Sequence, residues 1–161
     1  MKILIVSDTH GYNDNYYRVL EKVGEPDLLI HAGDVSGCET EIRNSVKCDV
    51  KMVAGNNDFS GELKREEEFE AGGIRFLLVH GHRESVYYGT DRLFYKAAQY
   101  GVDVVVYGHT HNPSIEYDDE FNIWAVNPGS LTYPRQGGHK PSFILMDIDR
   151  EGEPHFTLNF L

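Results

Sequence analysis

Five short apolar runs in this chain break off at residues of one chemical kind. Ile3 to Val6 runs into Ser7-Asp8-Thr9-His10-Gly11, Leu28 to Ile30 into His31-Ala32-Gly33-Asp34, and Asp49 to Ala54 into Gly55-Asn56-Asn57-Asp58. Ile74 to Val79 ends at His80-Gly81-His82, and Asp103 to Tyr107 at Gly108-His109-Thr110-His111. Short apolar runs of this kind, rich in β-branched residues, suit strands buried on both faces of a sheet. Taken alone, Asp8 and His10 read most simply as turn residues. If the chain stays extended past the strand, however, their side chains leave on the same side and deliver a hard oxygen and an imidazole together. Repetition of that ending at five strands turns the metal-site reading into the stronger one.

Helices fit between the runs. Asn13 or Asp14 is placed to cap a helix that carries Tyr16, Tyr17, Leu20 and Val23 toward the core and stops at Gly24. Glu39 to Val46 forms a short second helix, and Thr90 or Asp91 opens a third that runs through Tyr100 to Gly101. Strands alternating with helices imply parallel crossovers, which group the loops at the carboxyl edge of a sheet, where ligands bind. Asp8, His10, Asp34 and Asn56 then meet although they are distant in sequence. Glu66 to Phe69 reads as an edge strand with a solvated charge run, turned into the next strand by Gly72-Gly73. Past His111 the alternation ends. Ser114 to Tyr117, Asn122 to Val126, Ser142 to Ile148 and His155 to Phe160 read as a meander that forms or completes a second sheet. All 161 residues are expected to form one domain.

Charge narrows the function. Acidic residues outnumber basic ones 26 to 15, for a net charge of -11, so the surface repels nucleic-acid backbones and stable nucleic-acid binding is not expected. A local cationic site still attracts an anion. No apolar run approaches the roughly 20 residues of a membrane span, and the segment after Lys2 lacks the apolar region of a signal peptide. Cys38 and Cys48 have no CxxC spacing and read as free thiols, so a cytoplasmic protein is expected.

Two Asp, one Asn and four His at the strand ends are too many donors for one tetrahedral ion and include no thiolate. They suit two adjacent divalent ions that share a carboxylate. The ordered series Asp-x-His, Gly-Asp, Gly-Asn-x-Asp, His-Gly-His and Gly-His-Thr-His resembles the calcineurin-like metallophosphoesterase family, in its small, cap-less bacterial and archaeal phosphodiesterase branch. The resemblance extends to Asn127-Pro128-Gly129-Ser130. It implies an α/β fold: a four-layer α-β-β-α sandwich of two mixed β-sheets packed face to face and flanked by helices. It also implies that Asp8, His10 and His111 hold one metal ion, that Asn56, His80 and His109 hold the other, and that Asp34 bridges them. A hydroxide between the ions would then attack phosphorus in line. Mn is the expected metal, and the N/O donor set also admits Ni, Fe, Co or Zn. The two aspartates leave about two positive charges of the ions uncompensated, which favours a small phosphate ester as substrate.

Asn57 departs from the family pattern, which commonly has His after Gly-Asn. An amide donates a hydrogen bond but cannot act as a general acid near neutral pH, so leaving groups that need little protonation, such as aryl groups, are expected. His82 is the candidate substitute, with a structural role as its alternative. Asp34, Asn56, His80, Asn57 and Asp58 make up the expected catalytic set, and Asp58 is expected either to orient the metal loop or to serve as an ordinary turn carboxylate. His31 is expected to pack behind the site, Arg83 and Arg135 to form surface ion pairs, with contact to a substrate phosphate as their alternative, and Tyr87, Tyr88, Tyr95 and Tyr100 to be core or interface aromatics. Phosphodiester hydrolysis is the leading activity and phosphomonoester hydrolysis the nearest alternative. A protein-binding scaffold, as in some relatives of this branch, is the non-enzymatic alternative, and an edge strand or tyrosine-bearing face leaves room for a homodimer.

Overall fold

Strand β1 (Lys2–Val6) has Ile3, Leu4, Ile5 and Val6 completely buried, so it requires a neighbour on each edge and cover on each face. The computed structural model, which describes residues 1–161, supplies all four. On one edge β1 pairs in parallel with β2 (Leu28–His31), which pairs in parallel with β3 (Asp49–Met52). On the other edge it pairs antiparallel with β9 (Ser142–Ile148), which is followed by β10 (Pro154–Phe160). The first sheet therefore has the order β10-β9-β1-β2-β3. A second five-stranded mixed sheet has the order β4-β5-β6-β8-β7, built from Glu66–Ala71, Ile74–Val79, Val104–Val106, Ile123–Pro128 and Pro113–Asp118 respectively.

Side-chain alternation along β1 sorts its residues between two cores. Ile3 and Ile5 point between the sheets, where they meet Phe76, Leu78, Val104 and Val106. Leu4 and Val6 point outward, to Tyr16 and Val19 of α1 (Asp14–Val23) and Ile42 of α2 (Glu39–Asn44). On the far side Leu77, Val79 and Val105 pack on Leu93, Phe94 and Ala97 of α3 (Asp91–Tyr100). Helices, sheet, sheet and helix make the expected four layers. Full burial of a large aliphatic or aromatic side chain contributes about 1.5–3 kcal/mol, which makes the strand ends rigid platforms.

Three local expectations need correction. The last four strands do not form one meander: β7 and β8 complete the second sheet, whereas β9 and β10 return to the first, because β1 is too apolar to serve as an edge. In α1 the buried face is Tyr16 and Val19, three residues apart, while Tyr17 turns outward and donates to Glu41 Oε1 at 2.8 Å. Strand β3 stops at Met52, and Ala54 N donates to Lys64 O at 2.7 Å, outside the ladder. No helix is long and apolar enough to cross a membrane.

Candidate metal centre

The carboxyl ends of β1, β2, β3, β5 and β6 meet, and main-chain hydrogen bonds tie their loops together. Asp8 N donates to Gly33 O at 3.0 Å, His10 N to Asp34 O at 2.8 Å, and Gly108 N to His80 O at 3.0 Å. Asp8 and His10 do not reach the site by extended alternation, as their spacing predicts. Both have left-handed backbones, with φ of 55° and 49°, and Asp34, His109 and His111 do the same at 56°, 68° and 58°. Non-glycine residues rarely adopt this region, and where they cluster the strain marks a functional site.

Asp8, His10, Asp34 and His111 place one ligand atom each within 4.8 Å of one another. Nδ1 of His111 lies 2.7 Å from the Tyr133 carbonyl, which can only accept, so the Nδ1 hydrogen is committed there. The bare Nε2 then faces Asp8 Oδ1 at 3.0 Å and His10 Nε2 at 3.2 Å. Asp8 Oδ1 is buried and receives no well-directed hydrogen bond. Lone pairs brought this close without water repel unless a cation lies among them. Burial pushes the His111 imidazole down, yet the contact with Asp8 lifts it above its ordinary value. Burial likewise works against an ionised Asp8, but His111 and His80 hold its carboxyl below the usual range. The donors therefore fit a divalent ion.

His80 is oriented the same way. Its Nδ1 lies 2.7 Å from the Ala32 carbonyl, which turns Nε2 toward Asn56 Oδ1 at 3.1 Å and Asp34 Oδ2 at 3.6 Å. The His109 ring centroid is 5.2 Å from that of His80, and burial together with His80 pushes His109 down to about 4. All seven expected ligands thus lie at one edge of the sandwich.

Two glycines allow this crowding. A Cβ on Gly55 would sit 2.0 Å from Asp34 Oδ1, and one on Gly108 would sit 2.2 Å from Ser7 Oγ and 2.7 Å from Asp8 Oδ2. Other supports went unrecognised at the level of single residues. Ser7 Oγ donates to Asp8 Oδ2 at 2.6 Å, Ser130 Oγ to the Asp8 carbonyl at 2.9 Å, and Asn127 Nδ2 to the Gly108 carbonyl at 2.9 Å. The Asn127-Pro128-Gly129-Ser130 segment was the available signal for the last two.

Asn57 and Asp58 position other groups. Asn57 donates to Asp34 twice, from its main chain to Oδ1 at 2.8 Å and from its amide to Oδ2 at 2.7 Å. Asp58 accepts from Val35, Ser36 and Gly55 main-chain N–H groups and so joins the β2 and β3 loops. His31 is fully buried behind the cluster, against Thr9 Oγ1 at 3.1 Å and Gly33 N at 3.2 Å. Burial pushes it down to about 4. The His82 ring lies 5.4 Å from His80 and 5.9 Å from His109. Neither Arg83 nor Arg135 forms the expected surface ion pair: the ion pairs that use Lys or Arg involve Lys51, Lys64, Arg75 and Lys96. Arg135 instead donates to the Tyr87 hydroxyl, and its main-chain N donates to His111 O. Tyr87 packs edge-on against His109 at 4.8 Å, so it belongs to the rim of the cluster, while Tyr88 and Tyr95 are exposed.

Residues 1–151 match the profile of the calcineurin-like phosphoesterase superfamily domain. The chain belongs to that superfamily. It is 35% identical over 164 residues to the Mycoplasma genitalium protein named "Probable metallophosphoesterase MG207", covering 99% of this chain and 95% of the relative. It is 30% identical over 148 residues to "Phosphodiesterase MJ0936" of Methanocaldococcus jannaschii, covering 80% and 83%. Among solved structures, a Streptococcus pneumoniae protein described as a "predicted phosphoesterase" superposes with a TM-score of 0.82 at 26% identity, over 99% of this chain and 88% of that one. Zn-complexed Vps29 of Entamoeba histolytica superposes with a TM-score of 0.79 at 22% identity, over 99% of both chains, and so shares the fold. Membership makes this phosphoesterase domain a metal-dependent hydrolase by class, and the cluster of Asp8, His10, Asp34 and His111 is its candidate metal site.

Two outcomes follow from this geometry. Gly55 has no left-handed backbone, so Gly55→Ala acts through its Cβ alone; it should displace Asp34 and weaken metal binding about tenfold or more, as read by metal content after dialysis. His31 stays neutral in the fold down to about pH 4, whereas in the unfolded chain it takes a proton near 6.5. Between those values the unfolded state binds more protons, so chelator-treated protein should lose stability as pH falls from 6.5 to 4. Thermal melts across that range should show the decline, and His31→Asn should make it shallower, with His109, likewise held down to about 4, supplying part of what remains.

Proposed function

We propose that the chain is a phosphodiesterase that works with two divalent ions sharing Asp34. The observation that carries this reading is the position of Asp34 Oδ2, 3.7 Å from His10 Nε2 and 3.6 Å from His80 Nε2. One carboxylate oxygen within reach of both imidazoles supports a division in which Asp8, His10 and His111 would hold one ion, Asn56, His80 and His109 the other, and Asp34 both. Divalent ions held there, with Mn the leading choice and Ni, Fe, Co or Zn compatible, would polarise the phosphoryl oxygens and lower the pKa of water.

The chain's own residues set the conditions for that chemistry. The Tyr133 and Ala32 carbonyls hold the His111 and His80 rings with Nε2 inward. Asn57 clamps Asp34 from main chain and side chain, which commits one of its two amide N–H groups, and an amide is no general acid near neutral pH. Leaving oxygens that need little protonation, such as aryl oxygens, are therefore favoured. A diester preference draws on the 30%-identical relative named as a phosphodiesterase. A protein-interaction role has only the fold likeness to Vps29 behind it, and the filled donor set favours the enzyme.

Chelator-treated protein reconstituted in turn with Mn, Ni, Zn and Mg, and assayed on paired aryl phosphodiesters and phosphomonoesters, tests the reading. We expect diester turnover to exceed monoester turnover, and Asp34→Asn to lower it about a hundredfold or more with loss of bound metal. Faster monoester turnover would move the assignment to a monoesterase. No turnover with any metal, or an Asp34→Asn protein with unchanged activity and metal content, would contradict it.

A further inference from the structure

On the flank of the metal cluster lies a cavity of about 360 Å³, lined by Asn56, Asp58, Arg65, His82 and Arg83 among others. Its two arginines come from different loops. Arg65 follows the segment anchored by the Ala54 N to Lys64 O bond, and Arg83 sits in the turn closed by Ser85 N on His82 O and Val86 N on Gly81 O. Neither guanidinium has a protein partner. The ion pairs of the chain's lysines and arginines go to Lys51, Lys64, Arg75 and Lys96. The one carboxylate on the cavity wall, Asp58, is already spent on three main-chain N–H groups. In a chain with 26 carboxylate side chains, two guanidiniums that converge on one cavity without an ion-pair partner make that cavity a candidate anion site. The guanidinium is the side chain best matched to the oxygens of a phosphate.

The cavity shares Asn56 with the metal cluster, and Asn56 Oδ1 is 3.1 Å from His80 Nε2. An anion held by the arginines is therefore a neighbour of a group held at the metals. We propose that Arg65 and Arg83 form a second phosphate subsite, so that the substrate class is a phosphate ester bearing a further phosphate close to the scissile one. The scissile half of this statement rests on the phosphodiesterase reading above; the arginine subsite itself does not.

The test has two arms, using wild type and the Arg65→Gln/Arg83→Gln double variant. In the first, inorganic pyrophosphate is titrated by calorimetry into chelator-treated protein, and the variant should bind about tenfold more weakly or worse. In the second, the Mn-reconstituted protein hydrolyses thymidine 5′-(p-nitrophenyl phosphate) and its 3′-phosphorylated counterpart, which share a leaving group. Wild type should favour the 3′-phosphorylated substrate through KM, and the variant should lower the ratio of the two kcat/KM values about tenfold. Equal pyrophosphate binding by the two proteins would overturn the subsite. So would an equal loss on both substrates, which would assign the arginines to the scissile phosphate. Weakened pyrophosphate binding without turnover of either substrate by wild type would retain the subsite and discard the phosphodiesterase reading.

Discussion

Electron pairs that repel one another are held together at one edge of this protein's sandwich, and only a cation reconciles them. Asp8 Oδ1, His111 Nε2 and His10 Nε2 lie 3.0–3.8 Å apart, with Asp34 Oδ2 3.7 Å from His10. Backbone carbonyls direct the imidazole hydrogens of His111 and His80 away from the cluster. Neighbouring parts of the fold can be understood as what it takes to maintain this arrangement. The buried strands fix where the donors start, Gly55 and Gly108 let the loops close upon the carboxylates, and Ser130 and Asn127 brace the loops from behind.

That arrangement works against folding. Five of the nine non-glycine residues with positive φ are expected metal ligands, and each such residue costs on the order of 1–3 kcal/mol. Their sum rivals the whole stability of a typical domain, about 5–15 kcal/mol. The three apolar cores must offset it, and an ion that binds the folded state alone would add to the offset. The donors are therefore costly to keep in place without a ligand, which argues against a vestigial cluster.

Much of this was legible in the sequence, and the physical reasons divide what was from what was not. The five strand ends could be read because buried strands have a short-range signature and their terminal residues are named by position. The four-layer fold followed from the family resemblance and agrees with the structure. The return of β9 and β10 to the first sheet could not be read, because pairing β1 with a strand some 140 residues away leaves no local trace. Left-handed backbones at Asp8 and His10 were hidden for a related reason: neither is glycine, and the loop contacts that impose the conformation come from Gly33 and Asp34. Asn57 was recognised as a departure, yet its commitment to Asp34 needed the β2 and β3 loops side by side. A surface ion pair was the simpler reading of Arg83, and only the geometry reveals that no carboxylate lies within ion-pair distance of it.

Anomalous diffraction from Mn-soaked crystals would locate the ions themselves. Two Mn peaks about 3.5–4 Å apart are expected, with Asp34 between them, Asp8, His10 and His111 around one, and Asn56, His80 and His109 around the other. A single peak, or peaks away from Asp34, would contradict the two-ion reading.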